Sequence, residues 1–157
     1  MNIINAKHMI TISRALTLIK NAEGFSSTVY TDTTGHKTIG YGFNMEAMGI
    51  TQETMTIFEA QDILEKKVLE IRQQIFLPED SFEKFTMNEK AVMLDMAYNL
   101  GVAEFFKFDN FLKYINQGNY EYAATDLTNT LWYKQVGQRA VRDILNLCMN
   151  DKYLILI

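Results

Sequence analysis

Apolar positions at helical spacing open the chain. Ile12, Ala15, Leu16, Ile19 and Ala22 share one face of residues 10–22, with Ser13 and Arg14 off it. Gly24, just after Glu23, predicts where that helix stops. The period then shortens. Thr28-Val29-Tyr30-Thr31 is β-branched and aromatic and predicts a strand. Asp32-Thr33-Thr34-Gly35 is turn chemistry, a short acceptor side chain followed by a residue free to take positive φ. Lys37 to Gly42 predicts a second short strand, so a hairpin follows the first helix directly. Helical period returns in Ile57, Ala60, Ile63, Leu64, Val68 and Ile71, which predicts a long helix over 52–75. Its other face carries Glu53, Asp62, Glu65, Lys66 and Glu70 and reads as solvated. Pro78 breaks the chain.

Thr86-Met87-Asn88-Glu89 has capping-box spacing and opens a helix that is apolar nearly all round through Tyr98. Such a helix belongs at the centre of a core. Gly101 ends it, and further helices are expected at 108–116, 120–130 and 138–148. Tyr153 to Ile157 reads as a strand or tail packed on the body. The expected fold class is therefore α+β, mostly helical, with a small N-terminal sheet. Residues 1–157 are expected to form a single domain with an N-terminal lobe at 12–58, the connecting helix at 52–75 and a helical C-terminal lobe at 76–157. A cleft between two such lobes is a common place for a ligand.

Composition narrows the function classes. The 157 residues are 48% hydrophobic and 22% charged, which is globular rather than disordered. A net charge of −4 argues against a general nucleic-acid binder. No apolar run reaches the length of a membrane span, and polar residues interrupt Ile3-Ile4 and Ile10 to Ile12, so no signal-peptide core is evident. Stable membrane insertion is therefore not expected. Cys148 stands alone in an apolar helical stretch and reads as a small buried apolar residue. His8 and His36 lie far apart, and no phosphate-loop, dinucleotide or paired-histidine motif occurs, so neither a metal site nor a cofactor is expected.

One polar set remains. Glu23 ends the first helix, Asp32 heads the turn and Thr38 opens the second strand. The hairpin brings Asp32 and Thr38 near each other and can fold both back toward the helix end. Two carboxyl groups from different elements are what glycoside hydrolysis needs, one protonated and one ionised. The partial negative charge of a helix C-terminus favours the protonated form at Glu23. Structural readings stand beside this one. Glu23 can be an ordinary exposed helix end, Asp32 the head of an Asx-turn and Thr38 a plain strand residue.

Glu23-Gly24-Phe25, Tyr30-Thr31-Asp32 and Thr38-Ile39-Gly40-Tyr41-Gly42 resemble the opening motif of the bacteriophage-type lysozymes, glycoside hydrolase family twenty-four. That motif is E-x8-D-x5-T with the threonine inside T-I-G-x-G, and the spacings match without a gap. Met87 to Gly101, Phe111-Leu112-Lys113, Asn116 to Tyr120 with Ala123-Ala124, Trp132 to Gln135 and Gln138 to Arg142 carry the likeness over residues 12–148. The resemblance implies a lysozyme-like two-lobe fold. It also implies cleavage of the β-1,4 bond between N-acetylmuramic acid and N-acetylglucosamine, with inversion.

On matching positions it implies Glu23 as general acid, Asp32 as the carboxylate across the sugar and Thr38 as its helper in holding water. Arg139 would pair with Glu23 and orient it; a plain structural salt bridge is the competing reading. A cation there also favours the ionised carboxylate, against an acid's need. Tyr98, Asn99, Phe111 and Gln135 match cleft-side positions as substrate contacts, and Trp132 reads as core.

Two departures stand out. Phe43 occupies the place where many members carry a structural histidine, and the chain is acidic where many members are basic. Lys134, Arg139 and Arg142 would still give residues 130–142 a positive rim toward the wall. The implied setting is a monomeric endolysin in the host cytoplasm, released to peptidoglycan by a holin-type permeabiliser. A wall-binding module without catalysis, a chitin-type glycosidase and an antibacterial toxin are the alternatives.

Overall fold

The computed structural model describes residues 3–75, 84–149 and 151–157. The first helix, α1 (Ile3–Glu23), runs further toward the N-terminus than the apolar stripe indicates. Its buried residues are Thr11, Ala15, Leu18 and Ile19, so the stripe is turned slightly from the expected one and leaves Ala22 exposed. Gly24 follows it at φ +68.

Strands β1 (Ser26–Thr31), β2 (Lys37–Gly40) and β3 (Phe43–Asn44) form an antiparallel sheet in sequence order. Tyr30 pairs with Thr38 across β1 and β2. The third strand was not expected. The sequence reading ran β2 on to Gly42, but Gly40 and Gly42 both take positive φ and turn the chain at Tyr41. Phe43 then returns into the core, 1% exposed. A Cβ at Gly40 would lie 2.6 Å from the Phe43 ring, so that close approach needs glycine. Phe43 thus fills its place with apolar packing, edge-on to Tyr41.

A short helix α2 (Met45–Met48) leads to α3 (Ile57–Ile75), which starts five residues later than the expected 52. The cause is a capping box at Thr56-Ile57-Phe58-Glu59. Glu59 Nα–H donates to Thr56 Oγ1 at 3.2 Å, and Thr56 N–H donates to Glu59 Oε2 at 2.7 Å. Upstream, Thr54 bridges Thr28 and Met55 N–H donates to Ser27 O, so this stretch extends the sheet instead. The charges on the outer face of α3 are exposed as expected. The break expected at Pro78 lies outside the described residues.

Helix α4 (Met87–Leu100) is central. Every residue from Asn88 to Ala97 is buried, and the Thr86–Glu89 capping box is formed. Around it lie α5 (Val102–Phe105), α6 (Asp109–Asn116), α7 (Tyr120–Thr128), α8 (Leu131–Val136) and α9 (Gln138–Cys148). Helices α6, α7 and α9 match expectation within two residues, while the short α5 and α8 were not foreseen. Cys148 is exposed, not buried. It sits one position past Leu147 and so falls off the buried stripe of α9. Among the described residues, no helix is long and apolar enough to cross a membrane.

The C-terminal tail is packed on the body, as expected, by a clasp. Arg14 Nη1 donates to Asn88 Oδ1 and to Asp151 Oδ1 at 2.8 and 3.0 Å. The Asp151 carboxylate also accepts Met87 N–H and Asn88 N–H at the start of α4. An anion there satisfies free donors and faces the positive helix end. Asn146 bonds Ile155 N–H and O with its side-chain amide. Asp151→Ala is expected to lower stability by about 1–3 kcal/mol, because it strands both helix donors and one Arg14 partner. Urea denaturation of both proteins measures this, and a loss below about 0.5 kcal/mol would mean the clasp is ornamental.

Candidate active site

Glu23 sits on the last residue of α1, where the helix ends and the sheet begins. Its side chain is 24% exposed. Oε1 accepts from Arg139 Nη1 at 2.6 Å. Oε2 lies against the backbone of the β2–β3 turn: a Cβ placed on Gly42 would stand 2.7 Å from it. Gly42 is therefore needed twice, for its φ of +76 and for the space Glu23 fills.

Asp32 begins the turn after β1. Its Oδ1 accepts Thr34 N–H and Oγ1–H, both at 2.8 Å, and His36 N–H at 2.9 Å. The His36 N–H is the main cause that holds this carboxyl below the ordinary aspartate range, with the Thr34 hydroxyl next. Asp32 Oδ2 is left facing Thr38, whose Oγ1 is 3.5 Å away and donates to His36 O at 3.1 Å. Thr38 is 2% exposed and fixed in the sheet. The geometry thus contains the expected Asx-turn, and the same turn gives Asp32 one anchored oxygen and one open toward Thr38.

The Tyr30 phenol is pushed up by burial first and then by the charges of Glu23 and Asp32. Tyr98, on α4, lies on the same ground. Burial raises its phenol strongly, with Glu23 adding to the effect, and its hydroxyl donates to Tyr41 O at 2.7 Å. That bond ties the β2–β3 turn to the central helix. Tyr98 is accordingly engaged with the protein's own backbone.

Arg139 has a second, larger partner. Its Nε and Nη2 donate to the two carboxylate oxygens of Asp95 at 2.9 and 2.8 Å. Burial would weaken the guanidinium's hold on its proton, but Asp95 and then Glu23 more than offset this and hold it charged. Arg142 Nη2 donates to Asp95 Oδ2 and to Asp143 Oδ1, both at 2.8 Å. Its Nη1 donates to Leu18 O and Asn21 Oδ1. Arg139 and Arg142 are 8% and 1% exposed, so the positive rim expected over 130–142 does not exist. Only Lys134 of the three is on the surface. The arginines look inward because three acids draw them there.

The remaining expected substrate contacts divide. Phe111 is fully buried in the core and offers no face to a ligand. Asn99 Oδ1 accepts the indole N–H of Trp132 at 2.9 Å, and Trp132 is core, as expected, with its ring edge-on to Phe108. Gln135 is exposed on α8. Asp95 was missed, although a lone acid inside Met93-Leu94-Asp95-Met96-Ala97 is itself a signal. A charge in the middle of a buried helix requires a buried partner.

Gly42→Ala is expected to cut turnover by about 10²-fold, since its Cβ must displace the Glu23 carboxyl. Gly49→Ala is the matching control, with φ +65 and no atom within 4 Å of the new Cβ. It carries the same backbone strain with no Glu23 atom beside the new Cβ. Equal turnover losses in the two variants would refute the steric role of Gly42.

A search among curated proteins returned no match. The family model for phage lysozyme matches residues 20–146, from the last turn of α1 into α9. That span contains Glu23, Asp32, Thr38, Arg139 and the whole buried ion cluster. With its small antiparallel sheet, long α3 and central α4, the fold is the α+β lysozyme-like one, and the chain belongs to the phage lysozyme family, a family of peptidoglycan-hydrolysing enzymes.

Proposed function

We propose that this chain is a muramidase that cleaves the β-1,4 bond between N-acetylmuramic acid and N-acetylglucosamine with inversion. The observation that carries this reading is the contrast between two carboxyl groups, Asp32 with one oxygen fixed by its turn and the other open toward Thr38, and Glu23 set between Arg139 and the Gly42 backbone. Asp32 is held ionised by its turn. Glu23 is half withdrawn from water and oriented by Arg139 and the Gly42 backbone.

In the proposed reaction, Glu23 gives its proton to the glycosidic oxygen as the bond to the anomeric carbon breaks. Water attacks that carbon from the opposite face and passes a proton to Asp32. Thr38, beside Asp32 Oδ2, helps to hold that water. Asn99 and Gln135 are the proposed acetamido contacts, from α4 and α8. Residues 1–157 act as one two-lobed, monomeric unit. Its setting is the bacterial cytoplasm until a holin-type permeabiliser admits it to the wall, as the family's lytic role suggests.

The test is digestion of purified peptidoglycan, with new reducing ends identified by mass spectrometry and the initial anomer by proton NMR. New muramic-acid reducing ends of inverted configuration support the reading. Glucosamine ends, a retained anomer, or binding to the wall without cleavage would each overturn it. The last outcome would favour a wall-binding module.

A further inference from the structure

The two oxygens of the Glu23 carboxyl meet two different parts of the protein. Oε1 accepts from Arg139 Nη1 at 2.6 Å. Oε2 lies against Gly42, where a Cβ would stand 2.7 Å away. Neither neighbour is rigid by itself. Arg139 has a long side chain with much rotamer freedom to lose. Gly40 and Gly42 are both at positive φ and leave the β2–β3 turn without the restraint that side chains give. Each neighbour is fixed by a residue of α4.

Asp95 fixes the arginine. Nε and Nη2 of Arg139 donate to Asp95 Oδ2 and Oδ1 at 2.9 and 2.8 Å, a side-on pair that sets the plane of the guanidinium. Nη1 is the nitrogen left over, and that plane aims it at Glu23. Asp95 is itself held: it is fully buried, and its Oδ2 also accepts from Arg142 Nη2. Arg142 in turn donates through Nη1 to Leu18 O and Asn21 Oδ1, near the end of α1. The helix that ends in Glu23 is thereby tied to the same buried acid.

Tyr98 fixes the turn. It stands three residues after Asp95, so the two share a face of α4. Its hydroxyl donates to Tyr41 O at 2.7 Å, on the residue before Gly42. A phenylalanine would fill the same space, so the hydroxyl is what the turn needs from this position.

We propose that Asp95 and Tyr98 are positioning residues for the reaction: from one face of α4, Asp95 presents Arg139 to one oxygen of Glu23, and Tyr98 holds the Tyr41–Gly42 turn against the other. This rests on Glu23 being the general acid. Neither residue acts on the substrate directly. An acid works only when its carboxyl meets the leaving oxygen at hydrogen-bond range, and a misplacement of about 1 Å can cost about 10²-fold. A glutamate side chain gripped at both oxygens loses the freedom to swing out of that range.

Tyr98→Phe removes one oxygen atom and keeps the ring. On soluble glycan strands of peptidoglycan it is expected to lower kcat about tenfold and to leave KM within about twofold. Asp95→Asn keeps the shape but turns an amide NH2 toward a guanidinium, so the side-on pair is lost. Its kcat is expected to fall about 10²-fold, again without a change in KM. A structural role alone would lower the melting temperature and leave the kcat of the folded protein in place.

Paired variants tell the two routes apart. Tyr98→Phe and Gly42→Ala act on the same turn, so together they should cost little more than Gly42→Ala alone. Tyr98→Phe and Arg139→Lys act on opposite oxygens, so their fold-losses should multiply. Unchanged kcat in folded Tyr98→Phe or Asp95→Asn, losses that appear in KM, or fold-losses that multiply in both pairs would overturn the inference. Should Asp95→Asn fail to fold, nitrogen-15 NMR of the wild type tests that half. Arg139 pinned on Asp95 shows separate Nη1 and Nη2 protons, and one averaged signal would overturn it. Glu23→Gln separates this failure from that of the reading beneath it. If it is inactive while Tyr98→Phe and Asp95→Asn turn over normally, the acid stands and the positioning residues fall. If it is active, the acid falls first.

Discussion

Glu23→Gln should lose at least about 10³-fold in turnover while keeping its fold, because it removes the one proton the leaving oxygen needs. Glutamine has the same shape, so its Oε1 can still accept from Arg139 Nη1. The Oε2 position against Gly42 is filled by an amide of equal size. Arg139 keeps its two bonds to Asp95. Stability should therefore change by less than about 1 kcal/mol, as for loss of one partner at a partly exposed pair. Reducing-end release from peptidoglycan gives the turnover, and thermal denaturation gives the fold. The pairing of the two readouts matters, since a buried-network variant that merely unfolds also loses activity. Glutamine at position 23 with turnover within tenfold of wild type would remove Glu23 as the acid. The proton would then have to come from another group, and among the described residues no second carboxyl shares Glu23's contact with Gly42 and Arg139.

The legible part of the chain was what local pattern determines. The apolar stripe of α3 from Ala60 to Ile71, though not its exposed first residue Ile57, the Thr86–Glu89 cap and the Asp32–Gly35 turn stand where the pattern places them, because each is decided by residues within one or two turns of each other. The T-I-G-Y-G run signalled the hairpin but concealed β3, since strand and turn residues look alike until positive φ at Gly40 and Gly42 separates them. The start of α3 was misplaced by five residues although T-x-x-E was in view at Thr56. The apolar period does not mark that start, which the Thr56–Glu59 capping box fixes.

The site was legible only at its ends. Glu23, Asp32 and Thr38 lie close in sequence, and Arg139 was reached through the family resemblance. The cluster behind them was not seen, because Asp95 and Asp143 meet the arginines across helices far apart in the chain. Reading Arg139 and Arg142 as a positive rim followed charge by sequence position, while burial had already cancelled it.

Arg142→Met should be the most destabilising of the single changes considered, by about 3–5 kcal/mol at neutral pH. Arg142 is 1% exposed and is the only described cation bonded to Asp143, so its loss leaves that acid without a counter-charge in the core. Asp95 keeps Arg139 but loses the bond at Oδ2 from Arg142. Leu18 O and Asn21 Oδ1 lose a donor as well.

The sign of the pH dependence follows from Asp143. Its carboxyl is pushed up by burial and by Asp95, and Arg142 is the group that pulls it back. A raised carboxyl stabilises the fold below its unfolded value of about 4, and that stabilisation is lost as pH rises through the folded value. Removing Arg142 raises Asp143 further, so the deficit of the variant should be smallest near pH 4 and grow toward neutrality. Denaturant titrations of both proteins at several pH values measure the difference directly. Adding Asp143→Asn to Arg142→Met should recover part of the loss at neutral pH and flatten its pH dependence, because the stranded charge is then gone. A deficit that is the same at every pH would assign Arg142 a role in packing rather than in charge balance. A single variant with near wild-type stability would show that water, not Arg142, serves Asp143 in the folded protein.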